Sequence, residues 1–154
     1  MDILIIYGSV YGNTEQIAKA IASALNSLGS VKLISVKQAN PSELKSIDIL
    51  IVGSPTHAGR PTTAIKEFLD KIPAGALKNI GVTAFDTRMG IFFAKIFGYA
   101  APRIAESLKD KGGHLVLQPE GFVVKGKEGP LKQGELERAA NWAKGILKNK
   151  ERKI

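Results

Sequence analysis

The run Gly8-Ser9-Val10-Tyr11-Gly12-Asn13-Thr14 gathers small residues, hydroxyls and an amide between an apolar stretch and an amphipathic one. A strand that turns straight into a helix leaves the first backbone N–H groups of that helix without carbonyl partners, and the helix dipole favours an anion beside them. Ser9 and Thr14 add hydroxyl donors, Asn13 adds an amide, and Gly8 and Gly12 let the backbone approach closely. Spacing excludes two nucleotide loops. A P-loop requires Lys where this chain has Asn13, and the G-x-G-x-x-G fingerprint fails because Val10 takes its second glycine position. What is left is a phosphate cradle of hydroxyls and amides with no cation. It suits a phosphate monoester held by hydrogen bonds rather than a magnesium-bound triphosphate. The competing reading is an ordinary helix start, capped by Asn13 or Thr14.

Other candidates are fewer. His57 stands in a second loop and His114 opens a strand. Neither has another histidine or carboxylate at metal-ligand spacing, so no metal site is expected. Cysteine is absent, which excludes disulfides, thiolate metal sites and cysteine nucleophiles. G-x-S-x-G is absent as well, so no Ser-His-Asp arrangement is argued. Segment 91–101 (IFFAKIFGYAA) holds Phe92, Phe93, Phe97 and Tyr99, four of the ten aromatics. It reads either as a core-packing helix or as a hydrophobic rim for a partner protein, a second subunit or a quinone.

The elements that must position these residues alternate along the chain. Asp2–Tyr7 and Asp48–Gly53 are nearly continuous apolar runs, as expected of strands covered on both faces. Val31–Val36, Ile80–Phe85 and a strand beginning at His114–Leu117 complete five. Helical stripes are predicted over Asn13–Leu28, where Gly29 can close the helix, over Pro61–Ile72, from about Pro102 to Gly112-Gly113, and over Glu135–Leu147, with a short piece at Pro41–Ser46. Strands alternating with helices predict an α/β fold, a parallel sheet with helices on both faces, whose ligands sit at the carboxyl ends of strands.

At 154 residues the chain reads as a single domain spanning 1–154, with 148–154 as a basic tail. With 44% hydrophobic and 23% charged residues it is neither disordered nor membrane-embedded, and no apolar stretch nears the roughly 20 residues of a spanning helix. No signal peptide is expected, because Asp2 precedes a short apolar run without a basic start or cleavage site. A cytoplasmic protein is the default expectation. The net charge of +8 lies almost wholly in residues 78–154. Such a half attracts polyanions, acidic partner proteins or anionic membrane surfaces, or else is a solvated lysine-rich surface. No specific nucleic-acid binding is expected.

Tyr7-Gly8-Ser9-Val10-Tyr11-Gly12-Asn13-Thr14-Glu15, directly after a first strand, resembles the FMN-phosphate loop of the flavodoxin family. Val52-Gly53-Ser54-Pro55-Thr56-His57-Ala58-Gly59-Arg60-Pro61 resembles that family's flavin-ring loop, and with the element order the resemblance covers essentially the whole chain. It implies a three-layer, doubly wound, five-stranded parallel sheet with strand order 2-1-3-4-5, and FMN as cofactor. Ser9, Val10, Tyr11, Gly12, Asn13 and Thr14 would surround the phosphate. Pro55, Thr56, His57, Ala58 and Gly59 would flank the isoalloxazine. Asp86, Thr87 and Arg88, with Met89 and Gly90, would lie on the pyrimidine side of the ring. There Arg88, set against the single carboxylate of Asp86, would ease entry of the second electron; the alternative is that Arg88 pairs with Asp86 or points to solvent. Two departures stand out. Val10 and Tyr11 take positions where many flavodoxins have Thr, and members are commonly acidic whereas this chain has a pI of about 9.7.

The resemblance implies a carrier that passes electrons between redox partner proteins, with acidic ones favoured by the charge. The chain length also favours a carrier. The basic charge and the aromatic segment keep open an FMN-dependent NAD(P)H or quinone oxidoreductase on the same fold. A third reading is a phosphate-ligand-binding or signalling module of the same topology. A response-regulator receiver is disfavoured, since no acidic pair follows the first strand.

Overall fold

The computed structural model describes residues 1–90 and 98–151. In chain order the elements are β1 (Asp2–Tyr7), α1 (Asn13–Leu25), β2 (Ser30–Ser35), two short 3₁₀ turns (Val36–Gln38 and Pro41–Ser46), β3 (Ile49–Pro55), α2 (Thr63–Lys71), β4 (Gly81–Arg88), α3 (Ala100–Asp110), β5 (His114–Leu115), β6 (Glu120–Val123) and α4 (Glu135–Glu151). Phe92, Phe93 and Phe97 lie outside the described residues, and with them most of the aromatic segment.

All the strands pair in parallel, in the order β2-β1-β3-β4-β5, with β6 also on β4. Alternation of side chains along each strand divides the core into two layers. In register, Leu4 with Leu50 and Ile6 with Val52 face α2 and α3, where Ile65, Phe68, Ile104 and Leu108 meet them. Ile3 with Ile49 and Ile5 with Ile51 face the other way, onto Ile17, Ile21 and Leu25 of α1 and Ala143 and Ile146 of α4. Each fully buried aliphatic side chain contributes about 1.5–3 kcal/mol, so covering both faces is what holds β1 and β3 at the centre.

The fifth strand is interrupted, which the sequence does not announce. Gly81 pairs with His114, but Phe85, four residues on, pairs with Glu120, six residues on. Two extra residues must therefore bulge between β5 and β6, where Pro119 cannot donate to the ladder. The Thr83 hydroxyl donates to Leu117 O at 2.8 Å and Trp142 Nε1–H to Gln118 O at 3.0 Å, so the carbonyls of the bulge are satisfied. Trp142 does this from an edge-to-face cluster with Phe85 and Phe122.

Helix boundaries shift for local reasons. α1 ends at Leu25, short of the predicted Leu28, as Asn26 N–H and Leu28 N–H turn back to Ser23 O and Leu25 O. α3 starts at Ala100 rather than Pro102, because two side chains from other elements receive its first N–H groups. Pro102 then falls within the first turn, where its missing N–H costs nothing. α4 runs on through the predicted tail to Glu151, over helix-forming Lys and Glu residues.

The chain runs from β1 outward to β2 and then crosses back past β1 to β3, so the direction of winding reverses beside β1. Ligands of open α/β sheets sit at the carboxyl ends of strands at such a reversal, a rule for which the flavodoxin order is itself a standard illustration.

Candidate functional site

The loop after β1 is placed by its glycines. Gly8 N–H donates to Gly53 O at 2.9 Å, tying the end of β1 to that of β3. Gly12, at φ 91°, occupies the left-handed region as the residue before α1, where a side chain would be strained. No side chain caps α1. The capping alternative fails at both residues. Asn13 Nδ2 donates to Glu128 O at 3.1 Å, and Thr14 Oγ1 hydrogen-bonds Thr87 Oγ1 at 2.8 Å. Both are buried polar side chains that reach across to distant elements. Gly12 N–H is taken by Ser9 Oγ at 3.0 Å, which leaves the Ser9 hydroxyl hydrogen to point elsewhere.

The loop after β3 is a tight hairpin. His57 N–H and Arg60 O, and Arg60 N–H and His57 O, bond reciprocally at 2.8 and 3.0 Å around Ala58 (φ 49°) and Gly59 (φ 80°). Two successive positive φ angles describe a type I′ turn, and Ala58 bears strain that glycine would not. Thr56 N–H donates to Thr87 O at 2.9 Å, fastening this loop to β4.

Below it lies a closed polar network. Asp86 is fully buried, and its carboxylate accepts from Arg88 Nε at 2.7 Å, from Arg88 Nη2 at 2.8 Å and from Ala101 N–H at 2.8 Å. The Thr56 hydroxyl also bonds Asp86, while Thr56 Oγ1 accepts Ala100 N–H at 3.0 Å. Asp86 thus joins the ends of β3 and β4 to the positive end of α3. Burial pushes its carboxyl above the ordinary Asp range, against the pull of Arg88, Ala101 N–H and Thr56. The Arg88 guanidinium lies 3.2 Å from the centre of the Tyr99 ring and packs where a Cβ on Gly121 would sit.

These loops line a cleft of about 120 Å³ that opens to solvent. Ser9, Val10, Tyr11, Asn13 and Thr14 line it from the first loop, Pro55, Thr56 and His57 from the second, and Thr87 and Met89 from the end of β4. Gly12, Ala58 and Gly59 shape its walls from behind. Asp86 and Arg88 do not line it. Arg88 is paired with Asp86 and only 17% exposed, which is the pairing alternative that the sequence left open. Val124 and Lys127 line it too, from a hairpin after β6 that sequence reading missed. A turn there was signalled by Gly129-Pro130, but nothing local says which way it folds. Lys127 brings to the lining a cation that the loop after β1 does not itself hold. Val10, Tyr11 and Met89, 56%, 45% and 41% exposed, give the mouth an apolar rim.

An uncapped helix start, backed by hydroxyls and beside an apolar rim in a sheet of order 2-1-3-4-5, is the arrangement that the flavodoxin resemblance implies. The comparisons agree: the flavodoxin family matches residues 5–142, and the chain belongs to that family, whose cofactor is a flavin. Flavodoxin 2 from Bacillus cereus superposes with a TM-score of 0.82 at 26% identity, covering 96% of this chain and 99% of that one. A diflavin flavoprotein of Synechocystis is 32% identical over 73% of this chain and 19% of its own length. An NAD(P)H dehydrogenase (quinone) of Acidovorax ebreus is 32% identical over 49% of this chain and 47% of its own. The chain spans only 13–20% of the diflavin flavoproteins it matches.

Proposed function

We propose that the protein holds FMN non-covalently in this cavity and passes electrons between redox partner proteins. The observation that carries the reading is the start of α1. It has no side-chain cap, and Asn13, Thr14 and Ser9 stand around it at one end of the cavity. The donor set fits a phosphate monoester on a flat, largely apolar body, because Pro55, Thr56, His57 and Met89 complete the lining. FMN supplies the electron-accepting chemistry when bound. The chain's own residues do the rest. Ser9, Thr14 and the first-turn N–H groups bind and orient the phosphate, and the Pro55–His57 strand end holds the ring face. The Asp86 network keeps the two strand ends at fixed separation. The exposed apolar rim leaves a contact route for partners, and the basic charge favours acidic ones. A cytoplasmic setting accords with this role. Among the described residues, no helix is long and apolar enough to cross a membrane.

The test is a pair of binding titrations, with FMN and with riboflavin. FMN should bind at least a hundredfold tighter, and the complex should show a flavin spectrum. Equal affinities would remove the first loop as a phosphate site. A second reading, an FMN-dependent NAD(P)H or quinone oxidoreductase, draws on the open apolar rim and on the Acidovorax relative. Bleaching of the bound flavin by NAD(P)H alone, without an added reductase, would select it over the carrier.

A further inference from the structure

The hairpin that follows β6 is built onto the phosphate end of the cavity. Val124 and Leu131 bridge its arms, Lys125 N–H donates to Pro130 O at 2.9 Å, and Gly129 N–H to Gly126 O at 3.0 Å. Its tip rests on the first residue of α1. Asn13 Nδ2 donates to Glu128 O at 3.1 Å, and Gly129, at φ 104°, lies so close that a Cβ would come 2.7 Å from Asn13 Oδ1. Lys127 precedes that contact by one residue. Among the described residues lining the cavity it is the only Lys, Arg, Asp or Glu. Its neighbour Glu128 turns its carbonyl to Asn13 and does not line the cavity. Arg88, at the end of β4, is held by Asp86.

Resting on the reading that FMN occupies the cavity, we infer that Lys127 is the counter-cation of the FMN phosphate, delivered by the 124–131 hairpin. A phosphate dianion among hydroxyls and helix N–H groups gains further from an ammonium group, which binds phosphate as a point charge with three donors. The side chain is exposed, so the attraction is screened by salt. This gives the inference a signature that a packing role for the hairpin lacks. FMN affinity falls as ionic strength rises, riboflavin affinity does not, and both properties trace to one side chain.

The experiment is fluorescence titration of the apoprotein with FMN and with riboflavin at low and high salt. It uses the parent, Lys127→Gln, Lys127→Arg, and Lys125→Gln as a charge-matched control on the same hairpin. Lys127→Gln should weaken FMN about tenfold at low salt, flatten its salt dependence and leave riboflavin unchanged. Lys127→Arg should bind within about twofold of the parent, as should Lys125→Gln. The ³¹P resonance of bound FMN should shift in Lys127→Gln and stay put in Lys125→Gln. Unchanged FMN affinity in Lys127→Gln overturns the inference. So does an equal loss for both ligands, or an equal loss in Lys125→Gln. A parent that binds FMN no better than riboflavin overturns the site reading itself, whereas the first three outcomes leave that reading standing.

Discussion

Two neighbouring regions handle their polar groups in opposite ways, an open end at the start of α1 and a closed end beneath the loop after β3. At the open end, α1 begins without a cap, Ser9 keeps a hydroxyl hydrogen in hand and Lys127 lines the cavity from a hairpin. At the closed end, the carboxylate, guanidinium, hydroxyl and helix N–H groups of Asp86, Arg88, Thr56, Ala100 and Ala101 satisfy one another. Donors left over mark where a ligand is bound. Donors already consumed mark scaffold, even when a charged residue lies in the loop where a cofactor ring is expected. Perturbing the closed end should therefore cost stability, and perturbing the open end should cost affinity.

The largest effect is expected from Arg88→Gln, which strands a fully buried carboxylate. Removing one partner of a buried pair costs about 3–5 kcal/mol, read as a fall in the urea midpoint of the apoprotein at neutral pH. The pH dependence has a definite sign. Asp86 already titrates above its ordinary value, and losing Arg88 raises it further. A raised carboxyl favours the folded state at pH values below its unfolded value, and that contribution is lost as pH rises through the folded value. The penalty in Arg88→Gln should thus shrink on acidification, since protonated Asp86 needs no counter-charge. A penalty that stays constant down to acid pH would mean that Asp86 is not its source.

Asn13→Asp acts at the open end. It sets a carboxylate against the phosphate and removes the donor to Glu128 O, so FMN binding should weaken by about 2–3 kcal/mol. Riboflavin should lose far less, which isothermal titration would show. Should the variant lose riboflavin and FMN alike, Asn13 would belong with the scaffold. The smallest change tests the turn between the two ends. Ala58→Gly relieves a left-handed alanine, and after the entropy cost of glycine about 0.5 kcal/mol of stability should remain as a gain. FMN affinity should stay within about twofold, because Ala58 shapes the loop without lining the cavity. Thermal unfolding of apo and FMN-loaded protein separates these terms.

Much of this was legible in the chain. The two-sided apolar runs at Asp2–Tyr7 and Asp48–Gly53, and the stripe from Ile17 to Leu25, predict the layers because burial imposes periods of 2 and 3.6 directly on the sequence. Most of the cavity lining was also readable, since Ser9–Thr14 and Pro55–His57 each follow a strand end at once and local connectivity carries them to the same edge of the sheet. The interruption between β5 and β6 was not readable. It is a matter of register against β4, and register is set by partners rather than by the strand's own residues.

By itself the sequence determined the alternation of strands and helices, the small-residue loop ahead of α1, and hence the end of the sheet at which a ligand would lie. These follow from hydrophobic period and from neighbours along the chain. Tertiary structure alone decided which polar side chains remain available. Asn13 leaves the helix cap for a carbonyl 115 residues away, Arg88 turns inward to Asp86 instead of toward the cavity, and Lys127 comes to the phosphate end on a hairpin seated against α1. A loop side chain has several staggered directions of similar energy, and the one it takes is chosen by contacts that exist only once distant segments have packed.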